Sequence, residues 1–186
     1  MPNAVGVDAI GPVITNVEHL PTTPSIRQPL RISARIAQSR DAIVSTTLHY
    51  RVMFGQEISI PLVDDGTGHD VTAGDGIFTS LISARALGAG EMIRWYITAT
   101  DAAGRVSRWP RFADPQNSPQ YCGTVAADHS LRTALPVLHW FIENPQAANT
   151  DAGTRSALFY DGQFYDNVRV YLHGQSSRGF PKKSYN

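Results

Sequence analysis

The sequence predicts a mainly β protein in which an antiparallel β-sandwich is followed by part of a second β-rich unit. Between residues 12 and 109, short runs of aromatic and β-branched residues alternate with clusters of Gly, Pro and Asp. About seven short strands in about 100 residues is a spacing typical of two packed antiparallel sheets. No apolar stripe with helical spacing runs through this part of the chain, which argues against a helical domain.

Composition and charge limit the functions that the chain can have. The 186 residues carry 16 basic and 16 acidic side chains, so the formal net charge is zero. A neutral chain gives no electrostatic reason to expect nucleic acid or an anionic membrane as the main partner. No apolar run approaches the roughly 18–20 residues of a membrane span, and no signal peptide is recognised. The lone cysteine, Cys122, cannot form an internal disulfide and is expected to be a buried apolar residue.

The strands of the sandwich are predicted from alternation and from turn residues. Leu30, Ile32, Ala34 and Ile36 alternate with polar or small residues, as in a strand with one buried face. Gly55-Gln56 suits a tight turn between two strands. The other strands are expected at Gly11–Val17, Thr47–Phe54, Glu57–Val63, Ile77–Ala84, Met92–Thr100 and Arg105–Trp109.

The chain is predicted to contain two domains joined by an irregular linker. Pro110, Pro115 and Pro119 interrupt regular structure near the boundary, because proline lacks a backbone N–H donor. Tyr121–Val125 is a segment there that could add a strand. The predicted divisions are the sandwich at residues 9–112, the linker at 113–132 and the second domain at 133–186.

The second domain is predicted to begin with a buried strand in the apolar run Leu135–Ile142. The polar segment that follows suits a loop or a single helical turn. Arg155–Tyr160 and Gln163–Leu172 form the clearest hairpin in the chain, because Asp161-Gly162 supplies the positive φ of a type I′ turn. A further strand is expected to begin at Lys182 with little room to finish, so the domain is predicted to be incomplete.

Four aspartates lie within 12 residues in the segment DDGTGHDVTAGDG. Calcium prefers oxygen ligands, so this segment offers candidate ligands for it: Asp64, Asp65, Asp70 and Asp75. The spacing is not that of an EF-hand, because no Glu closes the loop at the required position. The alternative, which we favour, is that these Asp and Gly residues form side-chain-capped turns between two strands.

The same segment carries a resemblance. DDGTGHDVTAGDGIFTS is similar to the DDG–GDG–aromatic-Thr motif of immunoglobulin-like modules in large bacterial secreted proteins, and Trp95-Tyr96 with Ala99–Gly104 matches the pattern of their late strands. The likeness covers about residues 12–109. It implies an immunoglobulin-like or fibronectin-III-like antiparallel β-sandwich with a spacer or binding role rather than a catalytic one.

A second constellation, GQSSRGFPKKSY, lies near the end of the chain. Small residues between two strands let backbone N–H groups approach an anion, and a lysine ammonium can pair with phosphate oxygens. The segment is not a P-loop, since it lacks the G-x-x-x-x-G-K-[ST] pattern and a following helix. From the residues alone, a polar hairpin loop with solvated lysines is the simpler interpretation.

This segment resembles the G-N-S-S-R-x-x-P-K-K-S-Y hallmark of the CotH kinase family, the spore-coat kinase-like proteins. The chain departs from it at Gln175, where the family usually has Asn, and the likeness extends over about residues 133–186. The resemblance implies the β-rich N-terminal lobe of a kinase-like domain that uses ATP and Mg²⁺ to phosphorylate protein serines. It implies that Lys182, or else Lys183, contacts nucleotide phosphates under a covering loop formed by Ser176, Ser177 and Arg178.

Three functional interpretations stay open. The first is the N-terminal part of a CotH-type atypical kinase with an unknown protein substrate. The second is a non-enzymatic secreted spacer or adhesion module in contact with a cell surface or glycans, and the third is a calcium-dependent binding module. Phosphoryl transfer needs carboxylates that hold the metal and orient the acceptor. None is assigned here, so these residues alone are expected to need no cofactor and to be inactive. The resemblances imply a bacterial, extracellular or cell-surface location.

Overall fold

The computed structural model describes residues 10–83, 85, 87–116, 118–174 and 179–186, and this part of the chain is mainly β, as predicted. One short helix, α1, spans Pro145–Ala148. No helix in the described ranges has the length and apolar character to cross a membrane. The strands are β1 Val13–Leu20, β2 Leu30–Ala37, β3 Ile43–Val52, β4 Ile58–Pro61, β5 Ile77–Ile82, β6 Met92–Asp101, β7 Val106–Trp109, β8 Cys122–Val125, β9 His139–Ile142, β10 Thr154–Tyr160, β11 Gln163–Val170, β12 Leu172–His173 and β13 Ser184–Tyr185.

The first two sheets are antiparallel and contain the strands predicted for the first domain. One sheet has the order β1-β2-β5, and the other has the order β4-β3-β6-β7. β8 also pairs with β6, from Met92↔Val125 to Trp95↔Cys122. The segment expected to be a linker therefore adds a strand to the larger sheet, at the position where Tyr121–Val125 was considered as a possible strand.

One buried cluster takes side chains from both of these sheets. Alternation along β2 buries Leu30, Ile32, Ala34 and Ile36, of which Leu30 and Ile32 have no exposed surface. β3 and β6 contribute Leu48, Trp95 and Ile97 to the same cluster. Burying such side chains contributes roughly 1.5–3 kcal/mol each. The cluster is the main apolar core, while the immunoglobulin-like topology stays a prediction.

The third sheet has the order β11-β10-β9 and contains the predicted hairpin. Asp161 and Gly162 have φ of 48° and 74°, as a type I′ turn requires. Of the two alternatives for the polar segment, a loop or a single helical turn, the structure has the helical turn α1, with Asn144 accepting a hydrogen bond from the Ala147 N–H at its start. β9 is shorter than predicted. Leu135 is 76% exposed, and Pro136 beside it has no N–H to donate to a neighbouring strand.

A second apolar cluster joins the third sheet to the larger of the first two. Its buried members are Met92 and Val125 on one side and Phe141, Ala157 and Phe159 on the other. β8 and β11 also approach closely: a Cβ placed on Gly123 would lie 2.6 Å from the Phe164 ring. The two predicted domains are therefore packed together through a shared apolar contact.

His19 is expected to make the fold less stable in mild acid. Burial lowers the pKa of His19, although the Thr22 carbonyl 3.2 Å from its Nε2 acts in the opposite direction. The ring lies edge-on to buried Trp95, with the ring centroids 5.0 Å apart. Because the unfolded chain binds the proton more readily, stability holds above the ordinary pKa of about 6.5 and falls as the pH drops below it.

Thermal unfolding of the wild type and of His19→Gln, followed from about pH 7.5 to about pH 5, tests this expectation. The decline in Tm should be shallower in His19→Gln. Part of it should remain, because burial also lowers the pKa of His49, which both proteins retain. Identical slopes would contradict the role given to His19.

Candidate functional site

The lysine turn, residues 174–183, connects two short paired strands. Leu172 pairs with Tyr185 and His173 pairs with Ser184, so β12 and β13 are antiparallel. Gly174 begins the turn with φ of 93°, in the region that favours glycine. The covering-loop candidates Ser176, Ser177 and Arg178 lie outside the described residues.

The turn returns to the sheet at the two predicted phosphate-binding lysines. The Lys182 side chain is exposed and that of Lys183 is half-buried, and β13 begins at the next residue. These two lysines are the only ones in the 186-residue sequence, since all other basic side chains are arginines. A lysine ammonium is a compact point charge on a flexible stem, which suits it to contact the oxygens of a mobile phosphate chain.

Contacts with the third sheet and with the segment after α1 hold both strands of this turn. The N–H of Leu172 donates to the Thr150 carbonyl at 3.1 Å. The Tyr185 hydroxyl lies 2.9 Å from Asn149 Oδ1, and its ring meets the Trp140 ring edge-on with the centroids 5.8 Å apart. The base of the turn is therefore anchored on two sides.

The aspartate loop, Asp64–Gly76, brings together three of the four candidate calcium ligands. Carboxylate oxygens of Asp64, Asp70 and Asp75 lie within 4.8 Å of one another. Asp65 is not in this group. Its Oδ1 instead accepts hydrogen bonds from the N–H and hydroxyl of Thr67, at 2.9 and 2.8 Å.

Backbone N–H groups already engage the clustered carboxylates. Asp64 accepts from Gly74, Asp75 and Gly76, at 2.7, 3.2 and 2.9 Å, and Asp70 accepts from the Gly66 N–H at 2.6 Å. These hydrogen bonds already bring positive partial charge to the carboxylate oxygens that a cation would need as ligands. Calcium would also need several further oxygen ligands around it. The arrangement is that of the side-chain-capped turns favoured from the sequence.

Asp64→Ala is therefore expected to destabilise the protein by about 1–3 kcal/mol, because three backbone N–H groups lose their acceptor. Asp65→Ala is the matched control, since the hydrogen bonds of the Asp65 carboxylate are to Thr67 within the same turn, and it should cost much less. Urea unfolding of the two variants and the wild type gives the comparison. Equal losses in the two variants would contradict the role of Asp64.

The same proteins test for calcium. A cation that binds only the folded protein would raise its Tm, and tighter binding would raise it further. We expect 1 mM Ca²⁺ to leave the Tm of the wild type unchanged. A rise that disappears in Asp64→Ala would instead assign the loop to calcium.

The sequence interpretation missed a buried ion pair between the two predicted domains. Arg94 of β6 and Asp166 of β11 lie 3.9 Å apart, Nη1 to Oδ1, with side-chain exposures of 9% and 3%. Alternation along β6 places Arg94 on the face opposite Ile93 and Trp95, which predicts exposure to solvent. The available signal was weak: Arg94 lies between the apolar residues Ile93 and Trp95, and Asp166 follows the aromatic pair Phe164-Tyr165.

Cys122 is half-buried and packs against the main apolar core. Burial raises the pKa of its thiol to about 12. The thiol is therefore neutral at physiological pH, which does not favour a nucleophilic role.

A scan of the chain against models of known protein families finds no matching family, and a search of curated proteins finds no matching sequence. The functional proposal therefore depends on the residues of the chain itself and on the geometry around them.

Proposed function

We propose that this chain is part of a CotH-type kinase-like protein and that its lysine turn holds the phosphates of a nucleotide. The observation that carries the proposal is the pairing of β12 with β13, which makes residues 174–183 the connection between two antiparallel strands. Lys182 and Lys183 come at the point where the chain returns to the sheet. Backbone N–H groups of a small-residue turn and adjacent ammonium groups together form an anion site.

Lys182 is the first candidate for the phosphate contact. Its side chain is exposed, so its ammonium can reach a ligand without first leaving a packed position. The packing of Tyr185 against Trp140 and Asn149 keeps the strand behind the lysines in place. Phosphoryl transfer itself needs metal-binding carboxylates, and we assign none among the described residues. The activity proposed for these residues is therefore nucleotide binding.

The experiment uses the fact that the chain has only two lysines. An acyl phosphate of ATP is a mixed anhydride that labels an amine held beside the phosphates. The amine attacks the acyl carbonyl carbon, an amide forms, ATP leaves with the electrons of the broken C–O bond, and the ammonium proton passes to solvent. Peptide mass mapping then reports which lysine was beside the phosphates.

We expect Lys182 to be labelled more than Lys183 and excess Mg-ATP to suppress that labelling at least about 5-fold. Lys182→Arg should remove the main adduct, while Lys183→Arg should retain it. The amine of Met1 is an internal control, since ATP should not protect it. Lysine labelling that excess ATP leaves unchanged would contradict the proposal.

A non-enzymatic spacer or adhesion module is the second candidate function, and the aspartate loop favours it. The Asp64 carboxylate is used for backbone hydrogen bonds that close a connection between strands, which is a structural role. Binding of labelled cell-wall glycans to the protein, with no ATP-protected lysine, would favour this candidate over the kinase-like one.

A further inference from the structure

A groove at the edge of the third sheet has no role in the proposed function. It lies between the proline-rich segment after β7 and strands β10 and β11, and its volume is about 700 Å³. Its charged lining residues are Arg155, Arg169 and Glu143. The proline-rich segment contributes Pro115 and Gln116, and β11 also contributes Asn167.

The two arginines lie directly opposite each other on neighbouring strands. Arg155 of β10 pairs with Arg169 of β11 in the antiparallel register, and both side chains are exposed. Like charges in this position destabilise a sheet. An anion between the two guanidinium groups would turn that repulsion into two attractive contacts.

Neither arginine has an ion-pair partner among the described residues. Arg155 Nη1 donates to Gln120 Oε1 at 3.2 Å, and Arg169 Nη2 donates to the Ala152 carbonyl at 3.1 Å. Both acceptors are neutral, and each guanidinium has five N–H donors. Most of these donors therefore remain available to a ligand in the groove.

Other arginines of the chain differ in this respect. Arg51 pairs with Glu57 at 3.2 Å, and Arg105 pairs with Asp101 at 2.8 Å. In the groove, the Glu143 carboxylate lies beyond 4.0 Å from every described basic group. The two arginines and this one acid leave the groove with a net positive charge.

We propose that this groove binds a phosphate-type oxyanion between Arg155 and Arg169. Planar guanidinium groups match the oxygens of phosphate with paired N–H donors, which a lone ammonium cannot do. The groove is open at the protein surface, so the phosphate can be free or part of a monoester. The proposal does not depend on the lysine turn, which is a separate segment.

Inorganic phosphate is the first probe, titrated into the 186-residue protein at constant ionic strength and followed by amide NMR shifts. We expect saturating shifts at residues 152–155 and 167–169, with an affinity in the millimolar range. Arg155→Gln and Arg169→Gln should each weaken binding at least about 10-fold. Arg132→Gln, a change at an exposed arginine elsewhere, is the matched control and should bind as the wild type does.

Glu143→Gln tests the site without removing either arginine. It takes a negative charge out of the groove, so phosphate should bind several-fold more tightly to this variant. O-phosphoserine is the second probe: tighter binding than inorganic phosphate assigns the site to monoesters, and equal binding assigns it to free phosphate. No saturable binding by the wild type, or an affinity that Glu143→Gln leaves unchanged, would overturn the proposal.

Discussion

Asp166→Ala is expected to destabilise this protein by about 3–5 kcal/mol, because it leaves the Arg94 guanidinium buried without its ion-pair partner. Asp166 also accepts hydrogen bonds from the N–H groups of Gln120 and Tyr121, both at 2.8 Å, and these donors would be orphaned. The Arg94 guanidinium lies 4.6 Å from the Tyr121 ring centroid and at the same distance from that of Phe54. The guanidinium is therefore too enclosed for water to replace the lost carboxylate.

The directions in which the pKa values of Asp166 and Arg94 are shifted predict which substitutions restore the stability lost in Asp166→Ala. Burial raises the pKa of Asp166 and lowers that of Arg94, so for both groups the cost of desolvation outweighs the attraction between them. Asp166→Asn keeps an acceptor for the two N–H groups, and Arg94→Met fills the space between the rings without a charge. The double variant that combines Asp166→Asn with Arg94→Met should therefore recover at least half of the stability that Asp166→Ala loses.

The measurement is the free energy of unfolding from chemical denaturation. It compares the wild type with Asp166→Ala, Asp166→Asn and the double variant. Asp166→Asn should be intermediate, since it removes the charge and keeps the acceptor. A loss below about 1 kcal/mol in Asp166→Ala would mean that the pair is effectively solvated, as surface ion pairs are.

The features that depend on neighbouring residues were predictable from the sequence. Asp161 and Gly162 adopt the positive φ values of the expected turn, and the strands pair outward from Tyr160↔Gln163. Alternation along β2 correctly predicted the face that Leu30 and Ile32 bury. Both features follow from residues only a few positions apart, for which side-chain spacing and turn chemistry are sufficient information.

The contact between the predicted domains was not predictable in the same way. Arg94 becomes buried only because the third sheet and Tyr121 cover a face that alternation assigns to solvent. The groove arginines, Arg155 and Arg169, are close only because β10 and β11 pair in one particular register, with a shift near Ser156. No local pattern encodes such long-range placement.

The lysine turn lies between these cases. A motif drew attention to Lys182 and Lys183, and the polar hairpin loop considered for this segment agrees with the pairing of β12 with β13. The aspartate loop shows the reverse, because its turn chemistry was expected, whereas the close approach of Asp64, Asp70 and Asp75 depends on how the whole loop folds. Spacing in a sequence identifies candidate groups, while the paired backbone determines which of them meet.

Gly153→Ala is expected to cost about 2–5 kcal/mol, which combines about 1–2 kcal/mol for a left-handed backbone with about 1–3 kcal/mol for overpacking. Gly153 has φ of 65°, and a Cβ there would overlap the Val170 carbonyl oxygen and lie 2.7 Å from the Tyr171 Cβ. The first of these atoms belongs to the backbone at the end of β11 and cannot swing away. The pairing of Thr154 with Val170 must therefore loosen to admit the methyl group.

Gly162→Ala is the matched control for this prediction. Gly162 has φ of 74°, and a Cβ there would meet nothing within 4 Å, so its replacement carries only the backbone cost of about 1–2 kcal/mol. Urea unfolding should separate the two variants by the overpacking cost, and equal losses would contradict the close approach at Gly153.

Tyr171 also exchanges backbone hydrogen bonds with Asn186, both at 3.0 Å, beside the lysine turn. ATP protection of Lys182 should therefore weaken in Gly153→Ala and persist in Gly162→Ala.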